Sequence, residues 1–93
     1  MEKLSEAQIA SRLASLDAWQ RSGSAIERVW VFKDFLQAMQ FINQVATAAE
    51  QANHHPDMNI VYNKVTLRLS THDAGGLTDR DFTLAAELNK ITF

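Results

Sequence analysis

The sequence contains no cysteine, a single proline, three glycines and one tyrosine in 93 residues. Without cysteine there can be no disulfide, no thiolate nucleophile and no cysteine-based zinc site. No apolar run approaches the roughly 20 residues that span a bilayer. The opening Met1-Glu2-Lys3-Leu4-Ser5-Glu6 lacks the apolar core of a signal peptide, so a cytoplasmic protein with no membrane contact is expected. Basic residues are sparse and scattered: nine Lys and Arg stand against eleven Asp and Glu, for a net charge of −2. Phosphate recognition needs a concentrated basic surface, which disfavours direct nucleic-acid binding. Repeats, low-complexity tracts and linkers are also missing, and the length fits one small domain over residues 1–93. A chain this short buries a marginal share of its surface, which makes self-association an expectation.

What the sequence does contain is punctuation at element ends. Ser5 with Gln8 reads as a capping box and Leu4 with Ile9 as a hydrophobic staple, which predicts a helix from about 6 to about 15 burying Ile9, Leu13 and Leu16 or Ala10. Residues 18–21 and 25–32 read as strands around Ser22-Gly23-Ser24, with Ile26, Trp30 and Phe32 inward. Asp34 caps a second helix reaching about Asn53, with a stripe of Phe35, Met39, Ile42, Val45, Ala49 and Ala52. Pro56 stops it, because the residue before proline avoids the helical region. A turn at Asn63-Lys64 would set Tyr62 opposite Val65, Ile60 opposite Leu67 and Met58 opposite Leu69, all on one face. Thr78 with Asp81, and Leu77 with Phe82, repeat the box and the staple before a helix whose stripe is Leu84, Ala85, Leu88 and Ile91.

The expected fold is therefore α+β: a two-layer sandwich of a four-stranded antiparallel sheet with three helices on one face, in the order α-β-β-α-β-β-α. Val29, Val31 and Val61 would lie on the other face, either as a contact surface between subunits or as three ordinary exposed valines.

All three histidines fall at element ends that this fold brings together. His54 and His55 follow the long helix, and His72 follows the last strand. Glu50, Asn53 and His54 are spaced i, i+3, i+4 and share a helix face. Histidine exchanges its proton most readily near neutral pH, so the cluster is a candidate acid–base site. Duller readings stand beside this one. His54 could merely complement a helix C-terminus. Asp81 belongs at its position for capping alone, and Gly75-Gly76 fits a plain turn as well as a phosphate cradle. A metal held by Glu50 and His54 with His55 or His72 is disfavoured, since adjacent side chains project apart and no HExxH spacing occurs.

The blocks Asn53-His54-His55-Pro56-Asp57, Val61-Tyr62-Asn63-Lys64-Val65, Leu69-Ser70-Thr71-His72 and Gly76-Leu77-Thr78 with Asp81-Phe82 together resemble the pterin-4a-carbinolamine dehydratase family. Phe32-Lys33-Asp34-Phe35 and the Trp19 region match in order, and the resemblance covers nearly the whole chain. It implies the same sheet-and-helix fold, a homodimer or homotetramer, and loss of water from a 4a-hydroxy-tetrahydropterin to give quinonoid dihydropterin. This reaction recycles the pterin of aromatic amino acid hydroxylases, a hydroxylase being a possible partner, and it uses no cofactor or metal. By matching position, His54 and His72 are acid–base candidates, His55 holds the pterin with a share in proton transfer, and Asp81 orients a histidine. Glu50, Asn53, Ser70 and Thr71 line the pocket, with Trp19 in its wall. Many members carry an acidic residue where this chain has Asn53, which can hydrogen-bond but cannot act on a neighbouring histidine by charge. An animal member of the family also serves as a dimerisation cofactor of a homeodomain transcription factor, so a non-catalytic binding module on the same fold is the alternative.

Overall fold

A computed structural model describes residues 2–92. Its elements run α1 (Glu6–Ala14), β1 (Gln20–Ser22), β2 (Ala25–Val31), α2 (Phe35–Ala52), β3 (Asp57–Val61), β4 (Lys64–Leu69), a single 3-10 turn at His72–Ala74, and α3 (Asp79–Asn89). The four strands form one antiparallel sheet in the order β1-β2-β4-β3. Ile26, Val65, Leu67 and Leu69 pack beneath Ile9 of α1, Phe41 and Val45 of α2, and Leu84 and Leu88 of α3, so all three helices cover one face. Both capping boxes form as the sequence predicts, at Ser5/Gln8 and Thr78/Asp81.

Four details differ from the sequence reading. Strand β1 begins at Gln20 rather than 18, because Ala18 takes a left-handed φ of 69° and breaks any extended run. The turn into β2 is Gly23-Ser24, with Ser22 paired to Ala25 and Gly23 at φ 61°. In α2 the inward stripe is Ala38, Phe41, Ile42, Val45 and Ala49, while Phe35 and Ala52 are exposed. The expected and observed stripes share Ile42, Val45 and Ala49, and Phe41 joins them where the rings of Trp30 and Phe32 lie, centred 4.8 and 5.0 Å from its own.

The fourth difference is the β3–β4 register. The turn is Tyr62-Asn63, so Ile60 pairs with Val65 and Met58 with Leu67. The shift from the expected pairing is two residues, which leaves the side chains that stay in the ladder on their assigned faces. Tyr62 moves from the ladder into the turn, with φ 52°, and is exposed, as is Met58 at the sheet edge. The β2 connection fixes this position: Phe32 N–H donates to the Asn63 carbonyl (2.8 Å), and the Asn63 side-chain amide donates back to the Phe32 carbonyl (2.8 Å). Val29, Val31 and Val61 are exposed on the outer face.

Candidate active site

Three chain segments converge at one end of the sheet, and each arrives by a local rule. Helix α2 closes on Asn53 in the left-handed conformation (φ 49°, ψ 44°), with the Asn53 and His54 N–H groups donating to the Glu50 and Ala49 carbonyls. This is the usual way a helix ends when asparagine stands where glycine often does. It turns His54 out of the helix line and into the interior. Strand β4 delivers Ser70 and Thr71. The capping box of α3 delivers Thr78 and Asp81, both fully buried.

The Asp81 carboxylate joins the three. Its Oδ2 accepts from the Thr78 N–H at 2.9 Å, which is the capping bond, and from the Thr71 hydroxyl at 2.9 Å. Its Oδ1 lies 2.6 Å from His54 Nε2. Capping and histidine orientation are thus two uses of one carboxylate, which has acceptor sites enough for both. The proton directions follow from counting. Thr71 spends its only hydroxyl proton on Asp81, so in its 2.7 Å contact with Thr78 Oγ1 it accepts and Thr78 donates. An ionised carboxylate only accepts, so with Asp81 in that form Nε2 of His54 is the donor, and a neutral ring then has its lone pair at Nδ1.

The remaining candidates occupy the rim. His55 is exposed and its Nε2 lies 2.5 Å from Oε2 of exposed Glu50. His72 opens the 3-10 turn, one residue beyond Thr71. It is exposed, and its ring has no hydrogen-bond partner among the described residues. Ser70 is exposed beside it, and Asn53 enters through its backbone. Trp19 is not brought to this cluster within the chain. Its indole N–H donates to Asn89 Oδ1 (2.8 Å), and its ring meets Trp30 edge-on at 5.8 Å. Asn89 lies eight residues along α3 from Asp81, about 12 Å at helical rise.

Arg80 is a residue the sequence reading misses. Its guanidinium donates to the carbonyl of Asn53. The dipeptide Arg80-Asp81 therefore grips Asn53-His54 at two points, one on the backbone and one on the ring. The only sequence signal is its position beside the capping carboxylate, which does not say what the long side chain reaches. A hollow of about 270 Å³ lies between α2 and α3, lined by Ala52, His54, Asp79, Arg80, Thr83 and Leu84. A larger one, about 390 Å³, sits between α1 and α3 away from the histidines and offers no acid–base group. Among the described residues no three of His, Asp and Glu converge as metal ligands, and no helix is long and apolar enough to cross a membrane.

Comparison with known proteins bears on the fold and the family of the chain. The sequence profile of the family described as Pterin 4 alpha carbinolamine dehydratase matches residues 2–91. A Koribacter versatilis protein provisionally named pterin-4-alpha-carbinolamine dehydratase is 53% identical over 88 residues, covering 95% of this chain and 94% of that one. The crystal structure of a transcriptional coactivator/pterin dehydratase from Brucella melitensis superposes with a TM-score of 0.90 at 38% identity, covering 95% of this chain and 96% of that one. A pterin dehydratase-like protein identified as a RuBisCO assembly factor in the alpha-carboxysome shares the fold, with a TM-score of 0.62 at 19% identity over 76% of this chain and 82% of that one.

Proposed function

The chain belongs to the pterin 4 alpha carbinolamine dehydratase family, and from that premise we propose that it dehydrates a 4a-hydroxy-tetrahydropterin by histidine acid–base catalysis, with His54 and His72 as proton carriers. The observation that supports this most is the single buried carboxylate that holds the His54 ring and, through Thr71, the base of the His72 turn. In the reaction the C4a–O bond breaks with its electron pair going to oxygen, and a general acid protonates the departing hydroxide to water. N5 loses its proton to a base, and that electron pair forms the N5=C4a bond of the quinonoid dihydropterin. The balance involves no oxidant or reductant. Two proton transfers suffice, and positioned groups typically contribute about 10²–10⁴-fold.

His54 Nδ1 is the basic position, because Nε2 is committed to Asp81. His72, open to solvent, exchanges its proton with water between turnovers. His55 and Glu50 would face the pterin from the rim, with Ser70 and Thr71 beside them. The product feeds the recycling of a pterin hydroxylase cofactor, and a homo-oligomer is the working assembly in this reading.

The test is the rate at which freshly generated 4a-hydroxy-tetrahydropterin dehydrates, followed by ultraviolet absorbance. Wild type should accelerate it with or without chelator, and His54→Ala and His72→Ala should each lose most of the acceleration. A wild-type rate equal to the spontaneous one would overturn the proposal. A second reading, a binding or dimerisation module, draws on the exposed Val29, Val31 and Val61 and on the coactivator and assembly roles named for the two structural neighbours. It would gain if both histidine variants kept the protein's biological role intact.

A further inference from the structure

The proposed proton carriers are held very differently. His54 is fixed by its ring, whereas among the described residues His72 has no ring partner and can be placed only by its backbone. That backbone is a loop closed at its base, where Thr71 and Gly76 exchange hydrogen bonds (Thr71 N–H to Gly76 O, 2.9 Å; Gly76 N–H to Thr71 O, 3.4 Å). Inside it, the Gly75 N–H donates to the His72 carbonyl at 3.0 Å, with Gly75 in the left-handed region. One side of the base rests on the Asp81 network. The base is also held by the segment preceding α1. There the Leu4 N–H donates to the Leu77 carbonyl (2.8 Å), Leu4 is buried in the core, and the Lys3 stem crosses directly over Gly76. A Cβ on Gly76 would stand 2.7 Å from Lys3 Cδ and 3.2 Å from Cγ. Gly76 has an ordinary φ, so its backbone would tolerate alanine. What requires glycine there is the close passage of Lys3.

We infer that Lys3 and Leu4 form a strap that holds the 71–77 loop against the Asp81 network, and that Lys3 and Gly76 are positioning residues for His72. The inference rests on the proton-carrier role given to His72 above. The strap meets the loop at Gly76 and Leu77, not at His72 itself, so it acts on where His72 stands through the loop backbone. Because the Lys3 stem is flexible, a Cβ at Gly76 displaces it rather than unfolding the protein, and the expected signature is catalytic more than thermal.

The experiment is a pair of double-mutant cycles on the intact chain, with kcat, KM and melting temperature measured for each variant. Gly76→Ala should lower kcat about tenfold with KM within twofold of wild type. Lys3→Ala, which removes the strap's stem, should lower kcat to a similar extent, and adding Gly76→Ala to it should change kcat by less than a further twofold. In a His72→Ala background Gly76→Ala should have no further effect on kcat, because the residue it positions is gone. Equal losses in the wild-type and His72→Ala backgrounds would overturn the strap, as would a wild-type kcat in Lys3→Ala or a full further loss when Gly76→Ala is added to Lys3→Ala. If His72→Ala itself matched wild type, the fault would lie in the proton-carrier reading, and the strap would fall with it.

Discussion

His54 and His55 are neighbours in the chain and each pairs with a carboxylate at close range, yet they occupy different physical worlds. The His54 side chain is 10% exposed and its partner Asp81 is 0% exposed. The His55 side chain is 57% exposed and its partner Glu50 is 77% exposed. In water an ion pair contributes little, because both charges are solvated in its absence. In the interior, removing one partner strands the other without solvent, at a cost of about 1–3 kcal/mol for each polar group left unpaired. Distance alone would rank the two contacts as equals. Burial makes one a structural and chemical commitment and leaves the other an adjustable rim contact suited to a ligand that comes and goes.

The largest test of this contrast is at Asp81. Asp81→Ala strands His54 Nε2, the Thr71 hydroxyl and the Thr78 N–H together, and at about 1–3 kcal/mol for each unpaired group a loss of at least about 3 kcal/mol is expected, a large share of the ~5–15 kcal/mol that holds a small domain together. Chemical denaturation would measure it, and an unchanged midpoint would contradict the buried network. Asp81→Asn separates stability from chemistry. An amide oxygen can still accept from Thr78, but the amide nitrogen is a donor and cannot serve all of the carboxylate's donors. We expect a folded protein whose kcat falls about 10²-fold or more, since His54 loses the acceptor that sets its tautomer. Next in size is Arg80→Ala, which removes the backbone half of the grip on Asn53-His54. It should lower kcat up to about tenfold, equivalent to about 1.4 kcal/mol of positioning, and a wild-type rate would confine Arg80 to surface decoration.

Much of this architecture is legible in the order of the amino acids, and the failures have identifiable causes. Capping boxes and staples are local, so Ser5/Gln8 and Thr78/Asp81 mark two helix starts correctly. Alternation places side chains on faces but cannot detect an even register shift, so it pairs β3 with β4 two residues out while keeping their faces right. The place of Phe41 in the α2 stripe goes with the Trp30 and Phe32 rings reaching it, a contact absent from any periodicity. The same limit applies at the site. Histidine positions at element ends are legible. The second use of the Asp81 carboxylate is suggested by resemblance alone, and Arg80 reaching Asn53 is invisible, because both depend on how α2 and α3 dock. Trp19, which the resemblance sets in a pocket wall, gives its indole N–H to Asn89, another partner that no periodicity announces.

The smallest expected effects belong to exposed pairs. Glu50→Gln should change stability by less than about 1 kcal/mol, in keeping with an exposed ion pair, and a larger loss would mean that the His55 contact is not an adjustable one. Glu6 offers a pH version of the same point. Arg21 holds its carboxyl below the usual range by bidentate hydrogen bonds (3.0 and 3.1 Å) and by charge, and Lys3 adds a smaller attraction. A carboxyl with a lowered folded-state pKa stabilises the fold when the pH is above its unfolded value, and that contribution fades as pH falls through the folded one. The pair should therefore help slightly at neutral pH and not at all in strong acid. Melting temperatures of wild type and Arg21→Ala should differ by a degree or so at pH 7 in low salt and converge both towards pH 2 and in high salt. Convergence in acid without convergence in salt would mean the pair is shielded from solvent, which its open position on α1 does not allow.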